Sequence, residues 1–330
     1  MIKVTGLCKK YGTYTALDHL DFTIEEGKIY GFLGPNGAGK STTMNILTGY
    51  LQATEGTVLI AGVDIRKHPE QAKAKIGYLP EQPPLYPDMT VQEYLEFAAG
   101  LKKMERARRK SAIIEVMELT EIRDYRNVLI KKLSKGYKQR VGMAQAILGY
   151  PPILILDEPT VGLDPKQITQ MRGLIRRLGK KHTVILSSHI LSEIQAVCDE
   201  VLIISEGRIV AQDTPKHLEE EADMTQKISL LVKATKEQMD ELMQQVPNID
   251  MMSLVGEAQK GRLRYELVAK SGYDIREEIS CLMAENRIPV LEMTESKISL
   301  EDVFLKLTAS REESGNDEQQ EDDETEQEEV

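Results

Sequence analysis

Residues 34–41 read Gly34, Pro35, Asn36, Gly37, Ala38, Gly39, Lys40 and Ser41, the pattern G-x-x-x-x-G-K-[ST]. This run limits the possible folds more than any other, because it functions only between a strand and a helix. The flanks supply both. Lys28 to Leu33 is an apolar run that reads as a buried strand, and Thr42 to Thr48 reads as the start of a helix. Glycines let the backbone curl so that several N–H groups converge on phosphate oxygens. The helix directs its positive end at the same anion. In such a loop Lys40 reaches the terminal phosphates of a nucleoside triphosphate, and the Ser41 hydroxyl ligates Mg²⁺.

A second segment, Pro152 to Pro159, is an apolar run that ends in Asp157 and Glu158. Four bulky apolar residues in a row suggest a strand covered on both faces, as in a parallel sheet. Carboxylates at the carboxyl end of such a strand stand at the rim where α/β folds bind ligands. Asp157 is the candidate Mg²⁺ holder, through water. Glu158 is the candidate general base that polarises an attacking water. Taken alone, Asp-Glu-Pro would simply end a strand in a solvated turn; its pairing with residues 34–41 favours the functional reading.

A third segment, Leu133, Ser134, Lys135, Gly136, Tyr137, Lys138, Gln139 and Arg140, lies between the other two and opens an apolar helix. It resembles the signature sequence of ATP-binding cassette (ABC) ATPases, commonly Leu-Ser-Gly-Gly-Gln. Lys135 stands where that pattern has its first Gly, and Tyr137 where it has Gln. Further positions similar to the family's follow in order across residues 1–222. Tyr11 matches the aromatic that stacks on adenine, Asp164 ends the loop after the second carboxylate, and His189 matches the switch histidine that contacts the γ-phosphate. The resemblance therefore implies ATP and Mg²⁺ as ligands. The nucleotide contacts would be Tyr11, residues 34–41, Thr42, Ser134, Lys135, Gly136 and Asp164, and catalysis would rest on Lys40, Glu158 and His189. One departure is the segment Ile76 to Gln82, where the family usually places a Gln. Alignment on Tyr78, Leu79 and Pro80 puts Glu81 at that position, as a further Mg²⁺ ligand candidate. Gln82 stands beside it, and the residues leave open which of the two fills the role.

With 330 residues the chain has room for two domains. The fold class implied for residues 1–222 is α/β: a mixed-sheet cassette with an antiparallel β-subdomain and a helical subdomain. The helical pattern of the latter is visible from Val91 to Thr120. Residues 223–310 show the order βαββαβ, which suggests a small ferredoxin-like α+β domain. In it Ile249–Val255 and Leu263–Val268 are expected as strands joined by a turn holding Gly256 and Gly261. A closing helix with Ser299 and Asp302 as a capping pair is expected before Val303–Leu307. Residues 311–330 carry eleven Asp or Glu and one Arg, so nearly all of the net charge of −11 sits there. Such a tail lacks the apolar residues to offset ordering and is expected to be disordered.

No apolar run approaches the roughly 20 residues of a bilayer span, and no basic-then-apolar leader opens the chain. Three scattered cysteines without a Cys-x-x-Cys pair fit a reducing compartment. The acidic balance disfavours nucleic acid as a partner. Among rival classes, a tandem-cassette translation factor needs two phosphate loops, and a chromosome-type ATPase needs a long coiled coil between residues 41 and 134. A regulatory ATPase module acting on a protein partner and an importer subunit are the remaining alternatives. The resemblance favours the nucleotide-binding subunit of an export-type transporter, in the drug- and gliding-related group. It would sit on the cytoplasmic face of the membrane, bound to a separate integral-membrane permease, and would pair with a second copy or a related subunit on binding ATP.

Overall fold

The computed structural model describes residues 1–218, 226–259, 261–270 and 272–297. The expected closing helix and the acidic tail lie outside the described residues. The chain separates into two compact units, with the division between Pro215 and Lys216.

The first unit opens on an antiparallel hairpin, β1 (Ile2–Tyr11) and β2 (Tyr14–Ile24), followed by β3 (Ile29–Leu33) and α1 (Lys40–Leu47). Then come β4 (Glu55–Ile60), β5 (Val63–Asp64), α2 (Pro69–Lys73) and β6 (Ile76–Leu79). A helical insertion follows: α3 (Val91–Leu101), α4 (Arg106–Leu119) and α5 (Lys135–Ile147). A capping box of Thr90 and Glu93 starts α3. Strand–helix alternation returns with β7 (Ile153–Leu156), α6 (Pro165–Gly179), β8 (Thr183–Ser188), α7 (Leu191–Val197) and β9 (Glu200–Ser205), and β10 (Arg208–Asp213) closes a hairpin onto β9.

Two sheets result. One is antiparallel, in the order β2-β1-β4-β5. The other has the order β10-β9-β3-β8-β7-β6 and is parallel except at β10. The central strands are apolar on both faces because both are covered. Every residue of β3 and β7 is buried. Met44, Ile46 and Leu47 of α1 share one core with Ile2, Val4 and Phe22 of the first sheet and Phe32, Ile155 and Leu202 of the second. The helix that carries the phosphate loop is thus held in apolar packing along its length.

The hairpin is longer than the hydrophobic pattern suggests, since strands are expected only over Ile2–Leu7 and Leu20–Ile24. Register shifts between Val4 and Leu7 and between Leu7 and Lys9 interrupt the alternation that would reveal the rest.

The second unit contains β11 (Gln226–Val232), α8 (Lys236–Met243), β12 (Ile249–Gln259), β13 (Arg262–Ala269), α9 (Arg276–Glu285) and β14 (Val290–Lys297). Its sheet is antiparallel, in the order β12-β13-β11-β14. Ile228, Leu230 and Val232 alternate inward against Met239, Met243, Ile279 and Met283 of the two helices. Gly256 does not lie in the turn expected of it. It sits inside β12 at a register shift after Leu254, as a glycine at a strand irregularity.

Candidate active site

Four parallel strands end at one rim, in the spatial order β3, β8, β7, β6. The loops that leave them carry residues 34–41, His189, Asp157 with Glu158, and Glu81.

The phosphate loop owes its path to two glycines. Gly39 has φ +105°, and a Cβ there would lie 2.6 Å from Leu17 Cδ2 and 2.9 Å from the Ala16 carbonyl oxygen. Gly34 passes so close to β9 that a Cβ would stand 2.4 Å from the Ile204 carbonyl oxygen. Gly39 is also the N-cap of α1 and offers no side chain, so no capping group competes for the helix's leading N–H groups. Lys40 is buried, and its Nζ donates to the carbonyls of Gly34 (2.7 Å) and Pro35 (3.0 Å), inside the curl of the loop. Desolvation pulls the Lys40 ammonium below its ordinary range, while Glu158 and Asp157 draw it back.

A chain of hydrogen bonds joins the remaining groups. Ser41 Oγ stands 3.5 Å from Asp157 Oδ1. Ser187 Oγ, from β8, donates to the same Oδ1 at 2.6 Å and accepts from the Glu158 backbone N–H at 2.9 Å. His189 Nδ1 lies 3.1 and 3.0 Å from the two Glu158 carboxylate oxygens. Asp157 and Glu158 are 5% and 7% exposed, so burial pushes both carboxyls above their ordinary range. Hydrogen bonds from Ser187 and Ser41 oppose that at Asp157, and the bond with His189 opposes it at Glu158. Glu81, exposed one strand over, raises Asp157 further by like charge. Ser41, Asp157 and Glu81 present only oxygen donors, the set a hard divalent cation takes.

The other sequence-derived residues lie apart from this chain of bonds. Ser134 is the N-cap of α5, accepting from the Tyr137 N–H at 3.4 Å. Asp164 is the N-cap of α6, accepting from the Gln167 N–H at 2.9 Å. The two helix starts meet: Lys135 lies against Gly162, and Gly136 against the Gln167 amide. Tyr11 ends β1 half-exposed, with the Lys9 ammonium 5.0 Å from its ring centre. Ser187 is the residue that the sequence did not single out. It precedes Ser188 and His189 in the same run, and its role emerges only from the pairing of β7 with β8.

The family model for ABC transporters matches residues 17–161. The chain is 39% identical over 310 residues to the bacitracin transport ATP-binding protein BcrA of Bacillus licheniformis, covering 93% of this chain and 97% of that one. Among solved structures, it is similar to a dimeric bacterial ABC transporter cassette, with TM-score 0.60 and 28% identity over 65% of this chain and 98% of the other. It is also similar to a dimeric post-hydrolysis cassette bound to ADP and phosphate, with TM-score 0.59 and 27% identity over 65% and 98%. Among the described residues, no helix is long and apolar enough to cross a membrane.

Proposed function

This chain belongs to the ABC transporter family as an ATP-binding, ATP-hydrolysing subunit, and from that premise we propose that it drives export through a separate integral-membrane permease to which it binds peripherally. The observation that carries the hydrolytic part of this reading is the continuous hydrogen-bonded path from Ser41 through Asp157, Ser187 and Glu158 to His189, while the transport part is supported by the likeness to the bacitracin transport ATP-binding protein. The alkyl stem of Lys40 is fixed by burial, so its ammonium is held ready for the β- and γ-phosphates. Residues 34–39 and Thr42 wrap the same phosphates, with backbone N–H groups from all of them but Pro35, and Tyr11 stacks on adenine. Ser41 and Asp157, with Glu81 nearby, would hold Mg²⁺, which would supply charge neutralisation at the phosphate oxygens. Glu158 takes the proton of the attacking water. Its carboxylate is aimed by His189 Nδ1, which leaves the opposite imidazole nitrogen to meet the γ-phosphate.

Ser134, Lys135, Gly136 and Asp164 serve a nucleotide held by the other subunit of a pair. Their contacts with Gly162 and Gln167 support this, because they form an edge of their own at the meeting of α5 and α6. A symmetric pair then builds two composite sites. The cassette comprises residues 1–222. The accessory unit of residues 223–310 is ferredoxin-like, a reading supported by its βαββαβ order and its β12-β13-β11-β14 sheet.

Ser134→Arg tests the composite site by filling the place of the second subunit's γ-phosphate. The variant is expected to bind ATP with wild-type affinity, to stay monomeric by light scattering and to lose turnover. Wild-type specific activity is expected to climb with protein concentration as pairs form. Full turnover from a chain that stays monomeric across the dilution series would sink the composite site.

A further inference from the structure

Behind the Glu158–His189 pair stands a third buried carboxylate, beyond Asp157 and Glu158. Glu193, in the first turn of α7, is 5% exposed. Its Oε2 accepts a short hydrogen bond from Thr160 Oγ1 and one of 3.2 Å from Ser188 Oγ. Thr160 lies two residues after Glu158, and Ser188 immediately precedes His189. Both hydroxyl residues are buried, at 5% and 0% exposure. Ser188 Oγ also accepts from the Ile190 N–H at 3.0 Å, so it holds the backbone on both sides of His189. The nearest cation is the Arg172 guanidinium of α6, 4.0 Å from the other carboxylate oxygen. One side chain therefore bridges the two loops that bear the two members of the pair.

Such a bridge has something to hold. Glu158 has φ +46°, in the left-handed region that a non-glycine residue enters only at a steric cost. That conformation persists only where the surroundings over-determine it. The Glu158 N–H is bound by Ser187 from one side, and its carbonyl closes a turn to the Val161 N–H at 3.2 Å. Thr160 sits inside that turn and is fastened to Glu193. Burying a carboxylate is costly unless its lone pairs are used, and here they fix loop positions.

We propose that Glu193 is a positioning residue for ATP hydrolysis, locking the turn after Glu158 and the loop before His189 in one register. The proposal rests on the reading that Glu158 and His189 carry the chemistry. It touches neither the nucleotide nor the water, and it acts through Thr160 and Ser188.

The test uses the full chain and steady-state ATPase kinetics with thermal midpoints. Glu193→Met keeps the side-chain volume and removes both acceptors. It is expected to lower kcat about tenfold or more while KM for ATP stays within about twofold, since small misplacements of reacting groups cost up to about a hundredfold. Glu193→Gln keeps an oxygen that can accept from both hydroxyls, and is expected to restore kcat to within about threefold of wild type. Thr160→Val removes the hydroxyl at nearly constant shape, so it gives the same answer if Glu193→Met does not fold. It is expected to lower kcat without raising KM, and to cost nothing further in combination with Glu193→Met. Wild-type kcat in both Glu193→Met and Thr160→Val would overturn the proposal, and so would a Gln variant as impaired as the Met variant. Glu158→Gln is run alongside. If it keeps turnover, the chemical reading fails and the proposal falls with it. If it is inactive while Glu193→Met is unimpaired, only the positioning role is refuted.

Discussion

Glu158→Gln separates the chemistry of the site from its architecture, because the amide keeps the shape of the carboxylate and loses its basicity. Removal of a catalytic base costs about a hundredfold to ten-thousandfold in rate. At about 1.4 kcal/mol per tenfold, that corresponds to about 2.7–5.5 kcal/mol on the barrier. The structure favours the larger loss, since Glu158 is 7% exposed and the other carboxylate beside it, Asp157, is already hydrogen-bonded to Ser187 and Ser41. Stability is expected to move the other way. Burial first, opposed by the His189 hydrogen bond, leaves the Glu158 carboxyl above its unfolded value of 4.5. A raised carboxyl contributes stability that is complete below the unfolded value and is lost as pH rises through the folded one. Once pH has risen through the folded value the wild type has lost that contribution, whereas the Gln variant never carries the charge. The variant's thermal midpoint should therefore equal or exceed the wild-type midpoint at pH 7, with the gap closing toward pH 4. Phosphate release measures the rate, light scattering with ATP measures pairing, and a pH series of melts measures the sign. Turnover within about threefold of wild type would dismiss Glu158 as the base. A midpoint several degrees lower at pH 7 would refute the account of its burial.

Gly39→Ala places a Cβ 2.6 Å from Leu17 Cδ2 and 2.9 Å from a backbone oxygen at φ +105°, so it is expected to lose about 2–4 kcal/mol in urea unfolding and to bind ATP at least tenfold more weakly. Unchanged ATP affinity by calorimetry would refute the claim that the loop path requires glycine there. Lys102→Met removes the ammonium that donates to the carbonyls of Gln145, Ala146 and Leu148 at the end of α5, and is expected to lower stability by about 3 kcal/mol. A loss below about 0.5 kcal/mol in the same urea assay would show that water satisfies those carbonyls.

What could be read from the chain was local. The phosphate loop was legible because its glycines answer to a backbone path set within eight residues, and β7 because four apolar residues in a row need cover on both faces. Strand β11 was legible for a similar reason, since Ile228, Leu230 and Val232 keep strict alternation and all three are fully buried. The outer part of the first hairpin was not, because its bulges break the period on which such a reading depends. Gly256 misled for the converse reason: a glycine signals a turn and a strand irregularity alike. Ser187 and Glu193 were invisible because nothing in Ser-Ser-His or in the first turn of α7 distinguishes a bridging hydroxyl or carboxylate from a solvated one. Their partners, Asp157, Glu158 and Thr160, lie about thirty residues away in the chain.

The order of the strands explains why the site has this form. Along the chain the rim loops follow β3, β6, β7 and β8, but in space the order is β3, β8, β7, β6. The chain leaves the phosphate loop, crosses to the far side of the sheet, and works back one strand at a time. The loop of β8 therefore lands between the phosphate loop and the carboxylates, which lets Ser187 reach Asp157 and His189 reach Glu158. The final crossover to β9 goes to the other side of β3, where Ile204 closes against Gly34. The helical insertion enters between β6 and β7, so α5 returns to β7 only after presenting Ser134 at its own N-terminus. The groups at the rim thus stand on four loops, each held by a rigid parallel strand. The bridging side chains fix those loops to one another, which is the arrangement a reaction needs when its transition state must be met from several directions at once.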